Sequence, residues 1–325
     1  MVQFAVIGTN KITDNFIGAA NLCKGFKLAA VYSRTKEGAV RYAQKYGVEL
    51  TYADLDELAE SKEVDAVYVA SPNSLHASQA IRMMNGKKHV LCEKTIASNK
   101  KELKDMLKAA EDNGVIVMEA MRSVFDPGFK AIEDNLNKLG TIRRVTFQYC
   151  QYSSRYDNFK KGIIENAFSP VFSNGALMDI GVYCIHPLVK LFGMPEKIWA
   201  NPVILENGVD GAGTIMVSYE EMQGELIYSK IANSTLPSQI QGEKACMIIK
   251  DIPDTREITI IYNDGRIEDI SVKKYENNMY YEVEEFIRLI HINGSAQEHN
   301  KYSLMELEIM DEARKQIGIT FPADI

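Results

Sequence analysis

The chain has one tryptophan, nine prolines, five histidines and five cysteines in 325 residues. Each scarcity removes a class of explanation. Cys23, Cys92, Cys150, Cys184 and Cys246 are odd in number and scattered, with no Cys-x-x-Cys pair among them. Neither a disulfide framework nor a thiolate metal site is readable, so reduced thiols in a cytoplasmic protein are expected. The histidines lack ligand spacing, and no metal is expected. An excess of basic residues is also missing. Lys and Arg number 37 against 44 Asp and Glu, a net charge of -7. A nucleic-acid partner selects the opposite, a basic stripe, so none is expected. No apolar run is read as long enough to span a bilayer. A strand reading from Val2 leaves no room for a leader, so no membrane association is expected. Repeats and low-complexity linkers are absent too.

What is present is an ordinary globular balance, 46% hydrophobic and 25% charged, at a length sufficient for two cores. From Val2 to about Glu119, short apolar runs ("QFAVIG", "FKLAAVY", "VDAVYVA", "KHVLC", "GVIVME") alternate with helical stretches. Several of these stretches stop at glycine: Gly47, Gly86 and Gly114. Such alternation predicts a parallel sheet with helices on both faces, whose ligands bind beyond the carboxyl ends of the strands. After about Arg122 the pattern changes. A helix is predicted over 125–137, followed by longer strands such as "RRVTFQYCQY", "GELIYSKI" and "REITIIY". "YNDGR" is the best hairpin signal. This half reads as a second α/β domain on one large, mostly antiparallel sheet. Two helices, 280–293 and 303–317, close the chain.

Five stretches carry chemistry. After the first strand, a dinucleotide fingerprint would need three glycines, and only Gly8 is one; Asn10 and Thr13 stand at the other two places. Asn tolerates the left-handed backbone of a tight turn, and the helix that follows offers free N–H groups to an anion. Gly8, Thr9, Asn10, Lys11 and Ile12 are therefore a candidate phosphate turn, with Thr13 either loosening the packing or aiming its hydroxyl at phosphate. After the second strand come Ser33, Arg34 and Thr35, where an NAD-selective site carries an acid for the ribose 2′-hydroxyl. An arginine with hydroxyls would hold a 2′-phosphate, which favours NADP over NAD; a solvated loop arginine is the plain reading. In "ASPNSLHA", Ser71, Pro72 and Asn73 suit a loop passing close over a flat ring. Asn73 is a candidate helix cap, and His76 is either structural or functional. Lys94 ends an apolar strand beside Glu93, where a surface ion pair is the plain reading. In "GALMDIGVYCIHPLVKLFG", Asp179, Tyr183 and His186 fall at i, i+4 and i+7 of an otherwise apolar helix.

Taken together, these strings resemble the glucose-fructose oxidoreductase / inositol dehydrogenase / rhizopine-catabolism (Gfo/Idh/MocA) family of NAD(P)-dependent oxidoreductases. The carriers are "AVIG", "SPNSLHA", "GKKHVLCEK", "VMEAMRS", "GTIRRV" and "GALMDIGVYCIH", in that order along nearly the whole chain. Tyr183, where inositol dehydrogenases have His, looks closest to the dihydrodiol dehydrogenase and glucose-fructose oxidoreductase branch. The resemblance implies a Rossmann domain over 1–122 and a substrate-binding and dimerisation α/β domain over 123–325. It implies cofactor contacts from Ser71, Pro72, Asn73, His76, Glu93 and Lys94, with Lys94 near both nicotinamide and substrate. Catalytic roles are implied for Lys94, Tyr183 and Asp179, and substrate contacts for His186 and, more weakly, Arg122. It also implies a homodimer and a sugar, polyol or cyclic diol substrate. Two departures stand out: the missing glycines, and Thr95 where the family has Pro after the Lys. The Lys94–Thr95 peptide is then either trans or cis.

Hydride removal from a secondary alcohol also requires loss of the hydroxyl proton. A free tyrosine keeps its proton up to about pH 10, so a cation beside Tyr183 is needed to make it an effective base. Lys94 is assigned that place, with Asp179 holding Lys94. Lys94 as the acid/base itself is the alternative. A cofactor-binding regulator without turnover is the rival from another class.

Overall fold

A computed structural model describes all residues, 1–325. In chain order its elements begin β1 (Val2–Ile7), α1 (Lys11–Ala20), β2 (Phe26–Tyr32), α2 (Lys36–Tyr46), β3 (Leu50–Tyr52), α3 (Leu55–Glu60), β4 (Ala66–Val69), α4 (His76–Asn85), β5 (His89–Glu93), α5 (Lys100–Asn113) and β6 (Val117–Ala120). They continue α6 (Arg122–Phe125), α7 (Pro127–Asn135), β7 (Ile142–Cys150), α8 (Ser154–Phe159), α9 (Val182–Phe192), β8 (Lys197–Ile204), β9 (Asp210–Ser218), β10 (Gln223–Ser229) and β11 (Ser238–Gly242). Last come β12 (Ala245–Ile249), β13 (Ile258–Tyr262), β14 (Ile267–Asp269), α10 (Met279–His291) and α11 (Gln297–Ile317).

Two compact units result. The first comprises Met1–Ala120 with Asn277–Leu304; the second comprises Met121–Glu276 with Met305–Ile325. In the first unit six parallel strands run in the order β3-β2-β1-β4-β5-β6. The chain reverses direction across the sheet between β1 and β4, so the loops after these two strands open a crevice at their carboxyl ends. Strands β4, β5 and β6 are buried almost throughout, as expected of strands covered on both faces. Side-chain caps set the helix starts: Asn10 for α1, Thr35 for α2 and Asn99 for α5. Gly47 and Gly114 end α2 and α5 in the left-handed region. Gly86 also ends its helix, but for a different reason. Its φ is negative, and a Cβ there would lie 2.3 Å from the Ala59 carbonyl oxygen; the positive φ falls on Lys87. β3 and α3 are too short for periodicity to register. α10 packs with α1 in this unit and brings Phe286 against Phe4, ring centroids 6.0 Å apart.

The second unit is built on an eight-stranded sheet, β14-β13-β12-β11-β7-β10-β9-β8, antiparallel except where β10 runs parallel to β7. Its inner face buries Val145, Phe147, Ile215, Leu226, Tyr228, Ile240, Met247 and Ile260. The hairpin read at "YNDGR" joins β13 to β14, with Gly265 at φ 88°. The helix predicted over 125–137 is α7, begun two residues later at Pro127 and continued by a 3₁₀ turn, Leu136–Leu139; the short α6 ends before it at Phe125, since proline starts a helix well but cannot continue one. α11 begins at Gln297, six residues before the predicted start.

One expectation is corrected. The helical stretch Pro170–Phe192 is long and apolar enough to cross a membrane by composition, with a mean hydropathy of 1.3 over the window. The reason is packing: 78% of that window is buried, and a core helix is apolar on every side.

Candidate active site

In the first unit the two loops at the crevice meet at Gly8. Its φ is +116°, and a Cβ would lie 2.6 Å from the Ala70 carbonyl oxygen at the end of β4. Only glycine fits this turn. Asn10 substitutes for the second glycine by other means. Its side-chain oxygen accepts from the Thr13 N–H at 3.2 Å and caps α1, while its amide donates to the Ala70 carbonyl at 3.1 Å. Thr13 is fully buried, and its hydroxyl donates to Asn10 Oδ1 at 3.2 Å. The alternative in which this hydroxyl aims at phosphate is thereby corrected: a buried hydroxyl took the nearest acceptor. Thr9, Lys11 and Ile12 flank the same helix start, with Thr9 and Lys11 exposed. At the end of β2, Thr35 caps α2 through the Gly38 N–H at 3.1 Å, and Arg34 is exposed beside it. A glycine cradle, a capped helix start and an exposed arginine after β2 fit a dinucleotide that carries an extra phosphate. The hydroxyl oxygen of Ser71, in the loop after β4, is buried without a hydrogen-bond partner, as suits a group awaiting a ligand.

Asn73 does not cap α4. It opens a 3₁₀ turn, Asn73–Leu75, and the cap position falls on Leu75 with no side-chain bond. His76 sits inside rather than on the crevice surface. Its Nδ1 is 3.0 Å from the Thr95 carbonyl oxygen and its Nε2 is 2.8 Å from that of Ser71. Both ring nitrogens thus face backbone carbonyls, and the neutral imidazole, with one N–H, donates to one of them. Burial lowers the imidazole to about 4, aided by the Lys94 charge and opposed by the two carbonyls.

Lys94 follows β5 directly and is half-buried, while Glu93 is buried and accepts from the Tyr68 hydroxyl. The Lys94–Thr95 peptide is cis. The sequence reading missed Glu119. Its Oε1 accepts from the Ile96 N–H at 3.0 Å and its Oε2 from the Ser303 hydroxyl at 2.5 Å. Burial pushes its carboxyl up to about 7 against those two bonds. An acid inside the apolar run "GVIVME" was the available signal.

In the second unit the predicted polar stripe is interrupted. Residues Leu177–Gly181 form a π-helical turn, and α9 begins only at Val182. Asp179 lies inside this wider turn and Tyr183 and His186 just beyond it in α9; insertions of this kind cluster at functional sites. Asp179 is 28% exposed, and Lys230 is a cation on it, with Nζ 2.6 Å from Oδ2. Lys230 had been given no role. Yet the alternation of β10 puts it in phase with buried Leu226 and Tyr228, so a lysine on the buried face was legible. Asp210 accepts from the Leu177 N–H at 2.6 Å and so holds the start of the π turn; burial raises its carboxyl to about 6.

Tyr183 is buried to 6% exposure, its ring edge-on to Tyr149 with centroids 5.6 Å apart. Arg122 Nε lies 3.4 Å from its hydroxyl, with the guanidinium carbon 5.6 Å from the ring centroid. Arg122, read from the sequence as a weaker substrate contact, places a guanidinium beside the phenol. His186 is buried with Nδ1 2.6 Å from Glu306 Oε2, a bond that fixes ring orientation.

Residues 2–121 match the family model described as GFO/IDH/MocA "oxidoreductase family, NAD-binding Rossmann fold", and residues 134–248 match the GFO/IDH/MocA C-terminal domain. The chain belongs to this family. As a GFO/IDH/MocA oxidoreductase it is 50% identical to scyllo-inositol 2-dehydrogenase (NADP(+)) of Bacillus subtilis (strain 168), covering 100% of this chain and 99% of that protein. It is 28% identical to trans-1,2-dihydrobenzene-1,2-diol dehydrogenase of Danio rerio, covering 99% of each. Among solved structures, KijD10, a 3-ketoreductase from Actinomadura kijaniata in complex with NADP and TDP-benzene, superposes with a TM-score of 0.86 at 20% identity over 97% of each chain. That last likeness is one of fold. Both family domains occur in the order the sequence motifs implied.

Proposed function

We propose that this oxidoreductase is an NADP-dependent dehydrogenase of a secondary alcohol in a cyclic polyol, sugar or diol, with scyllo-inositol the first candidate substrate. The observation carrying this reading is the end-to-end 50% identity to scyllo-inositol 2-dehydrogenase (NADP(+)). Arg34 at the end of β2 supports the choice of NADP. In this reading residues 1–122 hold the cofactor and 123–325 bind substrate. When bound, the nicotinamide exchanges a hydride with the alcohol carbon. Tyr183 takes the hydroxyl proton, and the Arg122 guanidinium beside its hydroxyl steadies the phenolate. Lys94 binds the reacting oxygen, held in place by the His76 and Glu119 contacts to the two residues that follow it. His186, oriented by Glu306, positions the substrate ring. Five free thiols support a reducing, cytoplasmic setting.

The test is steady-state NADP reduction with scyllo-inositol, other inositols, aldoses and a trans-diol, alongside titration of NADP and NAD. NADP should bind more tightly. Arg34→Asp should weaken it by about 10- to 100-fold, since a hydrogen bond to a charged group contributes roughly 1.5–3 kcal/mol. Equal binding of NAD and NADP by the unaltered protein would overturn the assignment. NADP binding without turnover of any alcohol would favour the regulator.

We also infer a symmetric homodimer through the outer face of the second unit's sheet. That face is apolar towards its two ends, at Ile261 and Ile267 and at Trp199 and Met216, all more than 40% exposed. The Arg144–Glu225 ion pair lies between. A two-fold axis would cover both apolar ends at once. Sedimentation at micromolar concentration should give one dimeric species; a monomer alone would refute it.

A further inference from the structure

Lys230 is 2% exposed, unusual for a lysine. Its backbone N–H donates to the Gly211 carbonyl at 2.9 Å, and its carbonyl accepts from the Ser153 N–H at 2.8 Å. Its ammonium donates to the Ala167 carbonyl at 2.7 Å, lies 4.6 Å from the centre of the Phe168 ring, and meets Asp179 Oδ2 at 2.6 Å. One residue thus closes the excursion from Ser153 to Ala167 at both ends and sets the carboxylate on the π turn. The excursion packs through Phe159, Ala167 and Phe168, with Tyr156, against Val209, Leu205 and Ile231 from elsewhere in the unit. Lys230 thus ties this packed segment to the π turn.

We propose that Lys230 is a positioning residue of the reaction: its ammonium couples the Ser153–Phe168 segment to Asp179, so that the segment and the carboxylate take their working places together. The proposal rests on the dehydrogenase reading above. The physical argument is one of burial. An ammonium with this little exposure needs a carboxylate at hydrogen-bond distance. Asp179, at 28% side-chain exposure, retains access to solvent and to a ligand. The pair therefore orients the acid while keeping it open on one side. The carbonyl of Ala167, on the same ammonium, makes the segment's position depend on the same contact.

The experiment uses the full-length chain with three substitutions. Lys230→Met removes the charge and both bonds. Lys230→Gln keeps an amide donor for Ala167 but no charge. Lys230→Arg restores the charge. Hydrogen exchange read by mass spectrometry should show faster exchange across residues 153–168 and 177–183 in Lys230→Met, with β2, β4 and β5 unchanged. In Lys230→Gln the increase should be confined to 177–183. Steady-state kinetics should show kcat/KM for scyllo-inositol down by about 10-fold or more in Lys230→Met, in line with the cost of misplacing a working group. Its NADP dissociation constant should stay within twofold of the unaltered protein, and Lys230→Arg should recover part of the loss. Unchanged exchange in both segments would overturn the proposal even if the unaltered protein turned over no alcohol, a result that would sink the dehydrogenase reading separately. Normal kcat/KM in a Lys230→Met protein with a lowered melting temperature would reduce Lys230 to a purely structural role. Should Lys230→Met fail to fold, Lys230→Gln carries both readouts.

Discussion

Tyr183→Phe is expected to lower kcat by about 10²- to 10⁴-fold, the usual worth of a positioned proton-transfer group, with folding and NADP binding unchanged. The ring stays in its place against Tyr149, and only the hydroxyl that Arg122 faces is lost. Lys94→Ala should lose at least as much, because in the proposed mechanism it removes the group that binds the reacting oxygen. If the two residues serve one step, the double mutant should be little worse than the poorer single mutant. The measurement is kcat and KM for scyllo-inositol in all four proteins, with NADP affinity as a control. Near-normal turnover in Tyr183→Phe would make the tyrosine a packing residue and pass the acid/base role to Lys94. Fully multiplicative losses would separate the two residues into different steps.

Gly8→Ala is the second large effect. The added methyl would meet the Ala70 carbonyl oxygen at 2.6 Å, on a backbone at φ +116° that L side chains rarely adopt. Strain of this kind costs about 1–3 kcal/mol before any shift of β4 is counted. The carbonyl it strikes also accepts from Asn10, so relief by movement would loosen the cap of α1. The expected result is a fall in melting temperature together with at least a 10-fold loss of NADP affinity. Thr13→Gly should do the opposite of restoring a fingerprint, because the hydroxyl it removes donates to the Asn10 cap. A Gly8→Ala protein that binds NADP as tightly as the unaltered chain would show that this turn does not carry the phosphate.

The degraded glycine pattern illustrates how much of the site was legible. A fingerprint reading saw a candidate phosphate turn with two glycines missing. The structure shows a turn rebuilt: Gly8 supplies the close approach, and Asn10 replaces the second glycine with a cap and a cross-strand bond. Nothing in linear spacing says that the Ala70 carbonyl lies beside Asn10. Asp179 makes the same point. An i, i+4, i+7 count assumes 3.6 residues per turn, and the π turn at Leu177–Gly181 breaks that assumption where the site lies. The count read one regular helix there and could not name Lys230, which meets Asp179 from β10's end.

The sequence by itself determined the two sheets, short β3 excepted, and carried the resemblance to the family. The sheets follow from short-range regularities, namely apolar runs, alternation, capping residues and turn glycines, which local physics enforces wherever the chain happens to lie; the family rests on the resemblance of the motif strings. Tertiary structure alone decided who partners whom. Residues 277–304 join the unit built by the first 120 residues because α10 has an apolar face that fits against α1. Arg122 stands beside Tyr183, 61 positions away, and Lys230 meets Asp179, 51 positions away. Contacts at such separations are fixed by how elements pack, and burial then forces each polar group to take the partner that packing has placed within reach.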